Sequence, residues 1–263
     1  MVRSLVFFSV WACLLSGSLG CSDPATSDPA ASAPTASAPT ASAPTVSAPP
    51  SRSPTPGCRA PAGVSNSPHT IDETVTLINA LPKPLSLACF LESLARPLQI
   101  SATFSLFSAQ PAQGTRSPRI FLFQDPTLLS IVPAGDGAPL LEFGEQRPEF
   151  RSLKAEIVFP VATRLERSAP FDHLLFSPTL TTCGGCHAGE LQESEIFGVR
   201  TFVSQALRPR PQELVSAASL RHELEICDSA LEPQRCALLD ALFGWGEVNE
   251  RAFPMDMSTF GSP

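Results

Sequence analysis

The chain has 263 residues, a formal charge of −7 and a hydrophobic fraction of 43%. Only 18 residues are Lys or Arg and they form no basic cluster, which argues against a nucleic-acid surface built on phosphate contacts. All but two of these, Lys83 and Lys154, are Arg, and Tyr is absent, a bias that reads as GC-rich coding rather than function.

Residues 1–20 read as an export signal. Arg3 is the basic start, Leu5 to Leu15 form an apolar run, and small residues follow up to Gly20. That run is too short to span about 30 Å of hydrocarbon. The segment Ser18-Leu19-Gly20-Cys21 resembles the lipobox of bacterial lipoproteins. The resemblance implies that Cys21 becomes a lipidated N-terminal residue, anchored to a membrane without crossing it. Ser22 after the cysteine implies the outer membrane, so the expected location is the cell envelope, facing the periplasm or the exterior. The plainer alternative is a secreted chain with Cys21 in a disulfide. Residues 21–56 complete the anchor and a stalk: 31–50 repeat ASAPT-like pentads, a composition that cannot bury a core and extends with polyproline character.

Residues 57–170 read as a β-rich module with one helix. Around 84–97, Leu87, Leu91, Leu94 and Leu98 recur at helical spacing, with Pro84 at the start and Pro97 at the end. The stretch 98–107 alternates, with Leu98, Ile100, Ala102, Phe104 and Leu106 on one face. Short apolar runs at 119–123, 128–132 and 140–143 and a second alternating run at 153–161 complete a β-sandwich-like expectation. Residues 171–263 read as a helical module. Helices are expected over 210–227 and 232–246, each opened by a proline, Pro211 and Pro233. The overall expectation is therefore α+β: a β-sandwich-like module, then a small mainly helical module.

Eight cysteines constrain the chemistry. An oxidising envelope disfavours free thiols. Apart from Cys13 in the signal, Cys21, and Cys183 with Cys186, four remain. Cys227 and Cys236 flank a short turn, which leaves Cys58 for Cys89; three pairings are open and this is the preferred one.

The remaining pair lies in Cys183-Gly184-Gly185-Cys186-His187. Two thiols three residues apart suit the two vinyl groups of one porphyrin edge, and the following histidine suits the iron. The motif resembles the haem attachment site of c-type cytochromes. That resemblance implies one covalent haem c on Cys183 and Cys186, with His187 as proximal iron ligand and a small helical cytochrome c-like module around it. Small c-type cytochromes draw a distal methionine from downstream, and Met255 and Met257 are the candidates here, with His222 a rival. His69 and His173 read as ordinary surface histidines. A structural disulfide is the main alternative. A redox CxxC lacks a thioredoxin-like setting, and zinc lacks a second ligand pair.

The expected function is electron transfer by a membrane-anchored mono-haem protein that is not an enzyme, with a basic redox protein as partner. No nucleophile stands beside Asp172 and His173, and Gly135-Asp136-Gly137 reads as a turn. The alternative is a non-enzymatic envelope lipoprotein, a binding or structural module in which Cys183–Cys186 is a staple.

Overall fold

The computed structural model describes residues 55, 57–107, 110–196 and 198–259. Cys21 and the stalk before residue 55 lie outside them. Among the described residues no helix is long and apolar enough to cross a membrane.

Helices α1 (Ile71–Ala80) and α2 (Leu87–Ser93) come first. Each is started by a hydroxyl: Thr70 accepts from the Glu73 amide and Ser86 from the Cys89 amide, which satisfies donors that the helix itself leaves open. Five strands follow as a meander: β1 (Leu98–Thr103), β2 (Arg119–Phe123), β3 (Thr127–Ile131), β4 (Leu140–Arg147) and β5 (Arg151–Val158). The short α3 (Ala169–Asp172), a small hairpin of β6 (Leu175–Ser177) and β7 (Leu180–Thr181), and a 3₁₀ turn (Thr182–Gly185) lead to β8 (Leu191–Ile196) and β9 (Val199–Gln205). Helices α4 (Ala217–Glu225) and α5 (Pro233–Phe243) and the short β10 (Val248–Glu250) finish the fold.

Eight strands make one mixed sheet in the order β10-β1-β2-β3-β4-β5-β9-β8. Only the β1–β10 pair is parallel. This overturns the expected β-sandwich-like module followed by a small mainly helical cytochrome c-like module. The segment after residue 170 supplies β8, β9 and β10 to the same sheet, and α5 packs on α2 from the other end of the chain. Strands β8 and β9 escaped the sequence reading because Leu191–Ile196 carries Glu193 and Glu195 and is almost wholly exposed at the sheet edge. The expected helix over 210–227 is shorter, because Pro211–Glu213 forms a 3₁₀ turn and Ser216 caps α4. Likewise 84–97 yields only the seven residues of α2.

The strand register gives the sheet two unlike faces. Leu122, Leu129, Phe143 and Ala155 form one cross-strand row. They belong to the main core with Leu77, Ile78, Phe90, Leu91, Leu239 and Leu242 of the helices. Neighbouring residues point the other way, as the period of two requires. Phe121, Ser130, Glu142 and Glu156 make one such row, and Phe123, Leu128, Gly144 and Lys154 the next. On this second face a small cluster of Ala206, Phe253 and Met257 packs against Phe121, Phe123, Leu128 and Phe150.

Two disulfides tie the helices in place. Cys58 joins Cys89 on α2, and Cys227 joins Cys236 on α5. Arg235 of α5 is almost fully buried and donates to Glu223 of α4 and to the Arg116 carbonyl. Pairing of this kind is what a buried guanidinium requires.

Candidate functional site

The Cys183–His187 segment leaves the β6–β7 hairpin as a 3₁₀ turn wound on one carbonyl. Cys183 O accepts from the Cys186 amide at 3.0 Å and from the His187 amide at 2.9 Å. Thr181 starts the turn: its hydroxyl accepts from the Cys183 amide, and the Thr181 amide and hydroxyl both donate to Glu190. The two glycines differ in kind. A Cβ on Gly184 would sit 2.7 Å from a Glu190 carboxylate oxygen and 2.7 Å from Leu180, whereas one on Gly185 would meet nothing within 4 Å. A side chain at Gly184 would therefore have to displace the Glu190 carboxylate or the Leu180 tip.

Of the described cysteines, Cys183 and Cys186 alone carry free thiols. Cys183 is turned inward and Cys186 is exposed. Burial, with the Glu142 carboxylate nearby, pushes the Cys183 thiol up to about 11, partly offset by Lys154. A thiol in that state is a poor nucleophile, because reactivity belongs to the thiolate.

His187 is held by its backbone side. Nδ1 lies 2.7 Å from the carbonyl of Gln205 at the end of β9, so Nδ1 carries the proton and donates. The unprotonated Nε2 keeps its lone pair and makes no hydrogen bond with the described residues. Burial, reinforced by Lys154 and Arg119, lowers the imidazole to about 3 and keeps it neutral. A neutral ring whose Nδ1–H is fixed by a carbonyl is the arrangement found behind ligating histidines.

Cys183 and His187 open onto a cleft over the second face of the sheet. The space over it, open solvent at the mouth included, amounts to about 660 Å³. Met257, Phe253 and Leu174 form part of its wall, and Arg119, Glu142 and Lys154 its floor. A second lobe of about 790 Å³ shares Cys183 and His187 and adds Cys186, Phe107, Arg208 and Arg210. The floor carries an internal ion pair between Arg119 and Glu142. Lys154 donates to Ser152 at 2.6 Å and is lowered to about 8, chiefly by burial.

The other sequence candidates separate cleanly. Met257 is 3% exposed and lines the cleft, whereas Met255 is 74% exposed and does not. His222 lies on α4 beside Glu225, His173 beside Glu156, and His69 against the carbonyls of Gln124 and Asp125, and none of them lines the cleft. Among the described residues no three His, Cys, Asp or Glu side chains gather as a metal-ligand set.

The donor types that a covalently held haem would need border these two lobes: the thiols of Cys183 and Cys186, the His187 imidazole, and, in the first lobe, the Met257 thioether. Sequence reading missed the floor. Arg119, Glu142 and Lys154 sit at alternating strand positions that read as a solvated face. Charged residues recurring on one face of β2, β4 and β5 were the available signal. No protein-family model, curated protein or solved structure matches the chain.

Proposed function

We propose that this chain is a mono-haem electron-transfer protein of the bacterial envelope, with the haem c carried on the open face of a β-sheet instead of in a helical module. Cys183 and Cys186 supply the thioether links, His187 Nε2 the proximal ligand, and Met257 the distal one. The observation that carries the reading is the joint placement of both free thiols, an imidazole held by Gln205, and a buried methionine around one cleft. The four remaining described cysteines pair with one another, so the free pair stands out in a protein built for oxidising surroundings.

The bound group would supply one-electron chemistry at its iron, and a His/Met ligand pair raises its potential. The chain's part is to hold two ligands still. The Gln205 carbonyl fixes the His187 tautomer, and Phe121, Leu128 and Phe253 supply apolar wall around Met257. Residues 21–56 would tether the domain to a membrane through a lipid at Cys21, by the lipoprotein resemblance of that segment. A net charge of −7 favours a basic partner.

The test is expression with export and haem-maturation machinery, then denaturation and a reduced pyridine spectrum. One thioether-linked haem per chain is expected, abolished in the C183S/C186S double variant. A chain that leaves such a host without covalent haem, with Cys183 and Cys186 oxidised to each other, defeats the proposal and leaves the disulfide-staple lipoprotein.

A further inference from the structure

We infer that Arg208 is the positioning residue for the Met257 thioether, so that one four-residue segment, 205–208, orients both candidate iron ligands; this rests on the haem reading above. The segment begins at the last residue of β9, and Ala206, Leu207 and Arg208 border the cleft. At its first residue, the Gln205 carbonyl takes the His187 Nδ1 proton at 2.7 Å. At its last, Arg208 grips the methionine turn by three bonds. Nε donates to Met257 O at 2.8 Å, an Nη2 proton goes to Met255 O at 3.2 Å, and the Arg208 amide donates to Ser258 O at 2.9 Å. The residues between belong to the site as well. Ala206 packs on Met257 and Phe253, and Leu207 lines both lobes.

The segment itself is anchored from outside. The Ala206 amide donates to Phe150 O at 2.7 Å, and Phe150 stands at φ 51° in the β4–β5 turn. A left-handed phenylalanine is an uncommon backbone state that surrounding structure must hold. The start of the tail is fixed separately, by the Arg251 amide on Ile100 O, the Arg251 guanidinium on Asp125 and Phe253 packed on Phe121 and Phe123; at the methionine turn the holds are the packing of Met257 on Ala206 and Phe253 and the Arg208 bonds. Residues 251–258 contain no helix or strand, and Met255 projects into solvent. A planar guanidinium that meets two carbonyls of one turn fixes orientation as well as distance, a role an ammonium fills only in part. The Arg208 grip therefore adds a directional polar hold to the apolar packing of Met257, and its loss is expected to let the turn carry the sulfur off the cleft wall.

The experiment uses haem-loaded full-length protein. The readouts are the long-wavelength methionine–iron absorption of the ferric form, the midpoint potential, and carbon monoxide uptake by the ferrous form. Wild type is expected to show the band, M257L to lose it, and M255L to keep it. R208Q is expected to lose most of the band, to fall in potential and to take up carbon monoxide, at an unchanged one haem per chain. R208K should recover part of the band. R235A serves as the control for general destabilisation, because Arg235 is buried between α4 and α5 and should leave the band alone. R208Q with the full wild-type band and potential overturns the inference, and so does equal band loss in R235A. If R208Q does not fold, R208K against R235A decides by the same comparison. A wild type with no covalent haem sinks the functional reading itself and is visible before any variant is made.

Discussion

The two methionines of the tail should behave as opposites in the apoprotein. Met257 is 3% exposed and packs against Ala206 and Phe253, whereas Met255, two residues earlier, is 74% exposed. Met257→Ala removes a buried unbranched side chain from a cluster of three buried residues flanked by Phe121, Phe123 and Phe150. Large-to-small changes of this kind cost about 2–5 kcal/mol. The low end applies here, because the tail has no regular structure and can settle into the gap. Met257→Leu keeps the volume and should cost less than about 1.5 kcal/mol. Met255→Ala should stay within about 0.5 kcal/mol of wild type. Urea midpoints on the four proteins, with unchanged m-values, give the answer directly. A Met255→Ala cost equal to that of Met257→Ala would refute the placement of the tail, and with it the assignment of Met257 to the cleft.

Two further outcomes follow from the rest of the fold. The disulfides close loops of different length, with cysteines 31 residues apart for Cys58–Cys89 and 9 for Cys227–Cys236. Chain entropy puts their contributions at about 3.7 and about 2.6 kcal/mol, so C58S/C89S should melt below C227S/C236S, and the reverse order would count against that account. Glu156, on the second face of β5, has its pKa raised by burial and then by Glu142, partly offset by His173. A raised carboxyl contributes stability when protonated and loses it as pH climbs through its folded pKa. Glu156→Gln should therefore flatten the fall in stability from acid toward neutral pH, and a denaturation series that keeps the wild-type slope would remove Glu156 as its source.

The meander was legible because its signal is local. Leu98, Ile100 and Ala102 alternate with polar residues, as do Leu153, Ala155 and Ile157, and the run 119–123 is short and mostly apolar, so β1, β5 and β2 announce themselves. What failed was assembly. Nothing in Val248–Glu250 marks it as a strand, since three residues gain their pairing only from Leu98–Ile100, some 150 residues away. Helix α1 is hard to read for a related reason. Ile71, Thr74, Val75 and Ile78 have helical spacing, but β-branched residues read as strand formers, and tertiary packing outweighs that preference. Its start was nevertheless written in the sequence: Thr70 caps the Glu73 amide, and Glu73 reaches back to the His69 amide.

The site shows the same division, and the reason is chemical. Cys183, Cys186 and His187 are legible because attachment chemistry fixes their spacing within five residues. Their setting is not, because it comes from strands that sequence order does not bring near them. Arg119, Glu142 and Lys154 look like the wet side of a half-buried sheet, and on β2, β4 and β5 alone that reading is reasonable. They become a floor only because the 3₁₀ turn at Thr182–Gly185 and the tail at Phe253–Met257 fold back over them. Neither of those segments has a periodic pattern to read. What holds them is polar and specific: Glu190 on Thr181, Gln205 on His187, and Arg208 on the carbonyls of Met255 and Met257. Each joins residues that are unremarkable in sequence. A motif can thus declare which atoms meet a ligand, while the residues that aim those atoms emerge only once the strands carrying them have been paired.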